Sequence, residues 1–170
     1  LQGGQKVLVF TGRRRDVTAI HERIAKKLPA GAKLWHAHGE TPAEEREDIR
    51  EEYMAHKGAA CIVGTGAAWG ESVNLQDTDR LIIVLLPWTW GQIRQWEGRV
   101  RRLGQSRACV LEYLVAEGTV DERISGVVLE KLAADEEILP DEQVTGVREA
   151  VQGGTDEEVI DGLLDRLLEE

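Results

Sequence analysis

Cysteine, methionine, phenylalanine and proline are all scarce in this chain. Its 170 residues include two cysteines, one methionine, one phenylalanine and four prolines. Two cysteines cannot form a disulfide framework, and Cys61 and Cys109 each lie in an apolar run, so we expect buried, reduced thiols. No apolar run approaches the roughly 18–20 residues that a membrane-spanning helix needs, and the start of the chain, Leu1–Lys6, has no apolar signal region. We expect a soluble globular protein in the cytoplasm, or in the nucleus of a eukaryote.

Charge is distributed unevenly along the chain. The formal net charge is −10, from 21 Lys+Arg and 31 Asp+Glu. Residues 1–111 contain 17 basic and 13 acidic side chains, a balance of +4, whereas residues 112–170 contain 4 and 18, a balance of −14. The mildly basic body keeps a nucleic-acid ligand possible despite the acidic total. The acidic part is either a solvated tail or a segment that covers the basic body and competes with nucleic acid.

Apolar strand patterns alternate with amphipathic helix patterns over most of the chain. Five strands are predicted, at Lys6–Phe10, Lys33–His38, Ala59–Val63, Arg80–Leu86 and Ala108–Val115. The uninterrupted apolar runs are typical of strands buried on both faces of a parallel sheet. The alternation therefore predicts a three-layer α/β fold, in which helices flank a mostly parallel sheet with right-handed crossovers.

Helix starts are predicted from capping patterns. Thr41-Pro42 followed by Glu44 predicts a capping box with Thr41 as the N-cap, and Thr89 with Gln92 predicts another. A third pattern, Thr155 with Glu158, begins an amphipathic helix near the C-terminus. The alternation of strands and helices breaks near residue 134, so we expect an α/β domain at residues 1–134 and an acidic helical extension at residues 135–170.

A stretch rich in arginine, Gln92–Gln105, follows the fourth predicted strand. Arg99 and Arg102 are three residues apart and share a face of a helix. Two guanidinium groups on one face repel each other unless an anion lies between them, and the planar guanidinium fits phosphate oxygens. The stretch is either a phosphate clamp or a solvated helix whose arginines pair with local carboxylates such as Glu97.

Several motifs carry a resemblance to a known family. Gln95-x-x-Gly98-Arg99-x-x-Arg102-x-Gly104-Gln105 resembles the last helicase motif of superfamily-two helicases, and the trailing Gly-Gln is the form found in Swi/Snf-type ATPases. The flanking segments Leu86–Trp88 and Gly118–Ile124 resemble those of the same family. Gly64–Gln76 resembles the motif that couples the nucleotide and nucleic-acid sites. The resemblance implies the second, C-terminal RecA-like lobe of a DNA-dependent ATPase.

The resemblance also implies roles for individual residues. It makes Arg99 and Arg102 the catalytic arginine fingers. It assigns nucleotide contacts to Gly70, Gln95, Arg99 and Arg102. It places His38-Gly39-Glu40 and Arg46 beside the nucleic-acid backbone, and it assigns nucleic-acid contacts to Thr11, Gly12, Arg13, His38, Gly39, Thr65 and Asn74. No metal site is expected, because His36 and His38 on one strand face have no third ligand at metal-site spacing.

One half of such a motor is missing from the sequence. The chain contains no Gly-x-x-x-x-Gly-Lys-Ser/Thr loop and no Asp-Glu pair after an apolar strand. The resemblance therefore implies that ATP and Mg²⁺ are held mainly by a first lobe, in the same polypeptide or in a separate subunit. We expect the isolated chain to be inactive, and its partners to be that lobe and duplex DNA, with no membrane.

Two other functions remain open. The chain could be a non-catalytic module that keeps the lobe fold and binds nucleic acid or protein, or an unrelated α/β enzyme such as a nucleotide-sugar transferase. The chain begins with Leu1 instead of methionine, so we expect a fragment of a longer protein or a processed form.

Overall fold

Strands and helices alternate through the part of the chain that the computed structural model describes, namely residues 4–69, 75–84, 87, 89–100, 109–115 and 126. These residues form five strands and three helices: β1 (Lys6–Thr11), α1 (Arg14–Lys27), β2 (Lys33–Ala37), α2 (Ala43–Ala55), β3 (Ala60–Thr65), β4 (Arg80–Ile83), α3 (Trp90–Val100) and β5 (Val110–Tyr113). Each of the five predicted strands is present. After residue 115 only Gly126 is described, and it is helical. The predicted helix that begins at Thr155 and the extension at residues 135–170 lie outside the described residues.

The five strands form one sheet in the order β2-β3-β1-β4-β5. Every ladder is parallel, which confirms the predicted α/β class. The first strand of the chain lies at the centre, with Lys6 opposite Ala60 and Thr11 opposite Thr65 on β3. Because all strands run the same way, the loops that follow them meet at one edge of the sheet, the carboxyl edge.

Helices cover both faces of the sheet, since alternate strand residues point to opposite sides. On one face, Val17, Ile20 and Ile24 of α1 pack in a cluster with β-strand residues that include Val7, Val9, Cys61, Val63 and Ile82. On the other face, α2 and α3 contribute Ile49, Tyr53, Ile93, Trp96 and Val100 to a second cluster with Leu8, Phe10, Ile62, Leu81 and Ile83. All six residues of β1 are buried, including the polar Lys6 and Thr11 at its ends.

The predicted capping box at the start of α2 is wrong. Pro42 is the N-cap, and it makes no side-chain capping bond. The hydroxyl of Thr41 instead accepts a hydrogen bond from the backbone N–H of His38 at 3.0 Å, and the N–H of Thr41 donates to the carbonyl of His38 at 2.9 Å. The hydroxyl is therefore committed to the turn before the helix. Thr89 does precede α3, and its hydroxyl donates to Oε1 of Gln92 at 3.1 Å.

The two cysteines differ in exposure. Both are free thiols, but Cys61 is buried whereas Cys109 is only half-buried, so the prediction of two buried thiols is wrong for Cys109. Cys109 precedes β5, a strand whose first residue Val110 is 47% exposed. None of the described helices has the length and apolarity to cross a membrane.

Candidate functional site

The carboxyl edge of the sheet brings together most of the residues predicted to contact nucleic acid. Thr11 ends β1 and Thr65 ends β3, and the two are register partners. The N–H of Gly66 donates to the carbonyl of Thr11 at 3.2 Å, which ties the two strand ends together. His38 and Gly39 follow β2, whose last residue is paired with β3. In open α/β sheets, ligands bind outside this edge.

The residues at this edge differ in what they expose. The side chains of Thr11 and Thr65 are 0% and 7% exposed, whereas Gly12, Arg13 and Gly39 are exposed and His38 is half-buried. The hydroxyl of Thr11 donates to Oδ2 of Asp16 at 3.3 Å and accepts from the N–H of Arg13 at 3.4 Å. The two threonines are therefore buried within the edge, whereas Gly12, Arg13 and Gly39 are exposed at it.

Three arginines in a row begin where β1 ends. Arg14 forms an ion pair with Glu40, which joins the start of α1 to the loop after β2. Arg15 pairs with Asp16 through Nε and Oδ1 at 3.4 Å. The guanidinium of Arg13 is exposed and has no ion pair with a described residue. Of the three positive charges, that of Arg13 is the one left without a local carboxylate in the described part of the chain.

The loop after β3 is held by two tryptophan rings. A Cβ atom at Gly64 would lie 2.3 Å from Nε1 of Trp69, and a Cβ atom at Gly66 would lie 1.8 Å from Cε2 of Trp96. Trp69 is completely buried. The glycines of this loop permit a close approach, because a Cβ atom at either position would clash with an indole ring. Here the approaching groups are indole rings of the chain itself.

Arg46 also anchors this loop. Its Nη1 donates to the carbonyl oxygen of Ala68, so α2 contacts the loop after β3. Its Nε is buried and has no hydrogen-bond partner among the described residues. The resemblance places Arg46 beside nucleic acid, whereas in the structure one side of its guanidinium supports the backbone of the loop. The loop is thus fastened from two helices, by Arg46 of α2 and by Trp96 of α3.

Helix α3 presents one face to the core and another to solvent. Ile93, Trp96 and Val100 are buried, whereas Gln95 is exposed and Arg99 is half-buried. Gln95 and Arg99 are four residues apart and share a face. Gly98 lies between them, and a Cβ atom there would meet nothing within 4 Å. Arg102, Gly70 and Asn74, which the sequence also assigns to the site, lie outside the described residues.

Glu97 does not lie on the solvated face of α3. It is 4% exposed and accepts a hydrogen bond from the hydroxyl of Tyr113 on β5. This contact disfavours the interpretation of α3 as a solvated helix in which Glu97 is a surface partner of the arginines. Sequence reasoning missed this role, because a glutamate within an arginine-rich helix gives no signal that a tyrosine on another element will reach it.

Of the two histidines predicted to share a face of β2, His36 lies beside a histidine of α1. The ring of His36 lies beside that of His21 on α1, with the ring centroids 4.4 Å apart. Burial lowers the pKa of His21, and the neighbouring His36 lowers it further. Within the described ranges, no three His, Cys, Asp or Glu side chains form a group that could hold a metal ion.

Known proteins resemble this chain in sequence and in fold. Residues 1–104 match the family described as the helicase conserved C-terminal domain. The SWI/SNF-related matrix-associated actin-dependent regulator of chromatin subfamily A-like protein 1 of Xenopus tropicalis is 28% identical over 131 residues, which cover 76% of this chain and 14% of that protein. Protein CHROMATIN REMODELING 19 of Arabidopsis thaliana is 31% identical over 169 residues, which cover 98% of this chain and 21% of that protein.

A solved structure shares the fold. The crystal structure of the C-terminal part of the Fun30 ATPase domain matches 97% of this chain with a TM-score of 0.66 and 21% identity, over 48% of that chain. The likeness supports a RecA-like architecture for the parallel sheet and its flanking helices.

The family match covers more than half of the sequence. The chain therefore belongs to the family of helicase conserved C-terminal domains, as the second RecA-like lobe of a Swi/Snf-type, superfamily-two ATPase. It spans only 14% and 21% of the length of the two relatives described above.

Proposed function

We propose that this chain is the second motor lobe of a Swi/Snf-like, DNA-dependent ATPase and translocase, active only when combined with a first lobe. The observation that carries the proposal is the carboxyl edge of the sheet, where Gly12, Arg13, His38 and Gly39 meet. Helix α3 is fastened to this edge through the contact of Trp96 with Gly66. The proposed nucleic-acid surface and α3, which carries Arg99, are therefore packed against each other.

On the nucleotide side, Arg99 acts as an arginine finger toward ATP held by the first lobe. Its guanidinium can neutralise charge on the transferred phosphoryl group, and Arg102 is proposed to act beside it. Gln95 and Arg99 share a face of α3 on which Gln95 is exposed and Arg99 is half-buried, and the space beside Gly98 is open, so there is room for a phosphate beside this face. Gly70 is proposed as a further nucleotide contact. We propose that acidic ligands on the first lobe hold Mg²⁺, which would supply positive charge to neutralise the phosphates.

On the nucleic-acid side, the exposed backbone at Gly12 and Gly39 approaches the phosphates of duplex DNA. Neither glycine has another atom within 4 Å of its Cβ position, so the surface there is open. Arg13 supplies a positive charge and His38 a polar ring. Thr11 and Thr65 act by holding the strand ends in register, and Asn74 is proposed to contact the same strand.

The test is ATP hydrolysis by this chain alone, by a supplied first lobe alone, and by the mixture, each with and without duplex DNA. We expect activity only in the mixture and stimulation by DNA. Arginine fingers contribute on the order of 10³–10⁵ in rate in well-studied GTPases, so Arg99→Ala and Arg102→Ala should each nearly abolish turnover. Near-normal turnover of both variants would contradict the assignment of Arg99 and Arg102 as arginine fingers.

Arg50→Ala on α2 is a matched control, since it also removes one arginine. Arg50 pairs with Glu47 and Glu51 on the surface of α2, and breaking such pairs costs about 1 kcal/mol or less. We expect this variant to keep the turnover of the wild type. If the mixture is silent while the chain alone binds duplex DNA or a protein, the non-catalytic module becomes the better description.

The location of the protein remains part of the proposal. The Xenopus relative is named as a regulator of chromatin, so the nucleus is the proposed location if the source is a eukaryote, and the cytoplasm if it is not.

A further inference from the structure

We infer that Trp96 is a positioning residue, which makes ATP hydrolysis responsive to DNA by fixing the carboxyl edge of the sheet to α3. The inference rests on the proposed function and adds a role to a side chain that touches neither ATP nor DNA in that proposal.

One indole ring contacts the ends of two strands. Atoms Cε2, Cζ2 and Nε1 of Trp96 lie 1.8, 2.0 and 2.3 Å from the position of a Cβ atom at Gly66, directly after β3. The ring also meets Phe10 of β1 edge to face, with the centroids 6.0 Å apart and the planes at 83°. Phe10 immediately precedes Thr11. The ring therefore touches the ends of β1 and β3, which Thr11 and Thr65 hold in register.

The same ring lies in the helix that carries the arginine finger. Trp96 is 5% exposed and follows Gln95, one turn before Arg99. Helix α3 is also held to the core by Ile93 and Val100, which are fully buried. A shift of the loop after β3 away from Trp96 can thus alter the DNA-binding edge while Arg99 keeps its place. Loss of this contact should therefore lower the stimulation of ATP hydrolysis by DNA more than it lowers the basal rate.

Gly66→Ala is the variant that loosens the contact. Its new methyl group cannot coexist with the indole in its present place, so the loop after β3 or the ring must shift. In the mixture with a first lobe, we expect the basal rate of ATP hydrolysis to be kept within about threefold and the stimulation by DNA to fall by about 100-fold, since misplacement by about 1 Å can cost that much. A merely structural role would lower the basal and stimulated rates together.

The two substitutions should not act additively. Trp96→Leu removes the ring and should itself lower the stimulation by DNA, and adding Gly66→Ala to it should change the stimulation by no more than about threefold, as expected for residues in contact. If Gly66→Ala does not fold, this comparison decides the matter. Gly91→Ala is the matched control: it lies on the same helix, is exposed, and would meet nothing within 4 Å.

The outcomes separate the two claims. A wild-type mixture without ATP hydrolysis overturns the proposed function and the inference with it. An active wild type whose Gly66→Ala variant keeps its stimulation, or loses basal and stimulated rates in equal proportion, overturns the inference alone. So does a double variant that is worse than both single variants.

Discussion

Lys6 is a charged residue at a buried position, where its ammonium group is satisfied by hydrogen bonds. It begins the central strand and is 3% exposed. Its Nζ donates to the carbonyls of Tyr53 and Met54 at 2.7 and 3.2 Å, and to Oδ2 of Asp77 at 2.6 Å. The two carbonyls belong to the last turn of α2, where a positive charge also complements the helix dipole.

We predict that Lys6→Met destabilises the chain by about 1–3 kcal/mol, because it leaves the two carbonyls of α2 and the part-exposed Asp77 without their donor. Urea unfolding followed by circular dichroism measures the change. Lys26→Met is the control, since Lys26 is exposed on α1 and surface substitutions usually stay within about 0.5 kcal/mol. Equal midpoints for the two variants would contradict the prediction.

Because the thiol of Cys61 is buried, the free energy of unfolding depends on pH in the alkaline range. Burial raises its pKa from 9.0 to about 12. Between these values the unfolded chain releases the proton and the folded chain keeps it, so stability falls as pH rises, by up to about 1.4 kcal/mol per pH unit. Burial also raises the pKa of Tyr53, which adds a loss of the same sign at higher pH.

We predict that Cys61→Ala makes the free energy of unfolding less steep between about pH 9 and 12. Urea titrations at several pH values measure the slope. Cys109→Ala is the control for losing a thiol, and a slope unchanged in Cys61→Ala would refute the assignment. In the native chain at neutral pH, a thiol reagent should label Cys109 long before Cys61.

At the level of elements, the turn before α2 uses the hydroxyl of Thr41 in a way that the capping pattern does not predict. Thr-Pro-x-Glu predicts a capping box, yet the hydroxyl of Thr41 serves His38. The capping rule considers only residues of the helix, whereas the chain leaving β2 presents an N–H that also requires an acceptor.

We predict that Thr41→Val destabilises the chain by about 1–3 kcal/mol, because the N–H of His38 loses its acceptor. Hydrogen exchange at that amide should accelerate, while amides in the middle of α2 should follow only the global change. Thr18→Val on the exposed face of α1 should leave the exchange at His38 unaltered. Exchange that accelerates equally in both variants would argue against the bond.

The elements themselves could be predicted from the sequence, whereas their contacts could not. The spacing of Val17, Ile20 and Ile24 identifies the buried face of α1, and the apolar run of β4 identifies a central strand. The contact of Trp96 with Gly66 joins separate elements, and no local pattern reports it. The resemblance gathers the site residues into motifs, but only the register of β1 with β3 brings Thr11 beside Thr65.

At the scale of the whole molecule, alternation of strands and helices predicts a parallel sheet but not the order of its strands. Several orders satisfy right-handed crossovers with the same local patterns. The order here depends on which apolar surfaces fit together, which is a property of the folded chain. The charge balance was readable from composition, but the selective pairing of Arg14 with Glu40 was not.

We predict that Arg13→Ala makes the negative slope of log K against log salt for duplex binding less steep by about 0.9, the value for one phosphate contact. Arg14→Ala should change it less, because Arg14 already pairs with Glu40. Fluorescence anisotropy at several salt concentrations gives both slopes. Equal changes in the two variants would show that the ion pair does not restrict Arg14 in the complex.

The central place of β1 has a consequence for synthesis of the protein. Within the described residues, the first strand is hydrogen-bonded to β3 and β4, not to β2. During translation, β1 therefore gains one strand partner only after Ala60–Thr65 has been made, and the other only after Arg80–Ile83. A ribosome that stalls before residue 60 would leave the apolar residues of β1 without a strand neighbour and open to pairing with other chains.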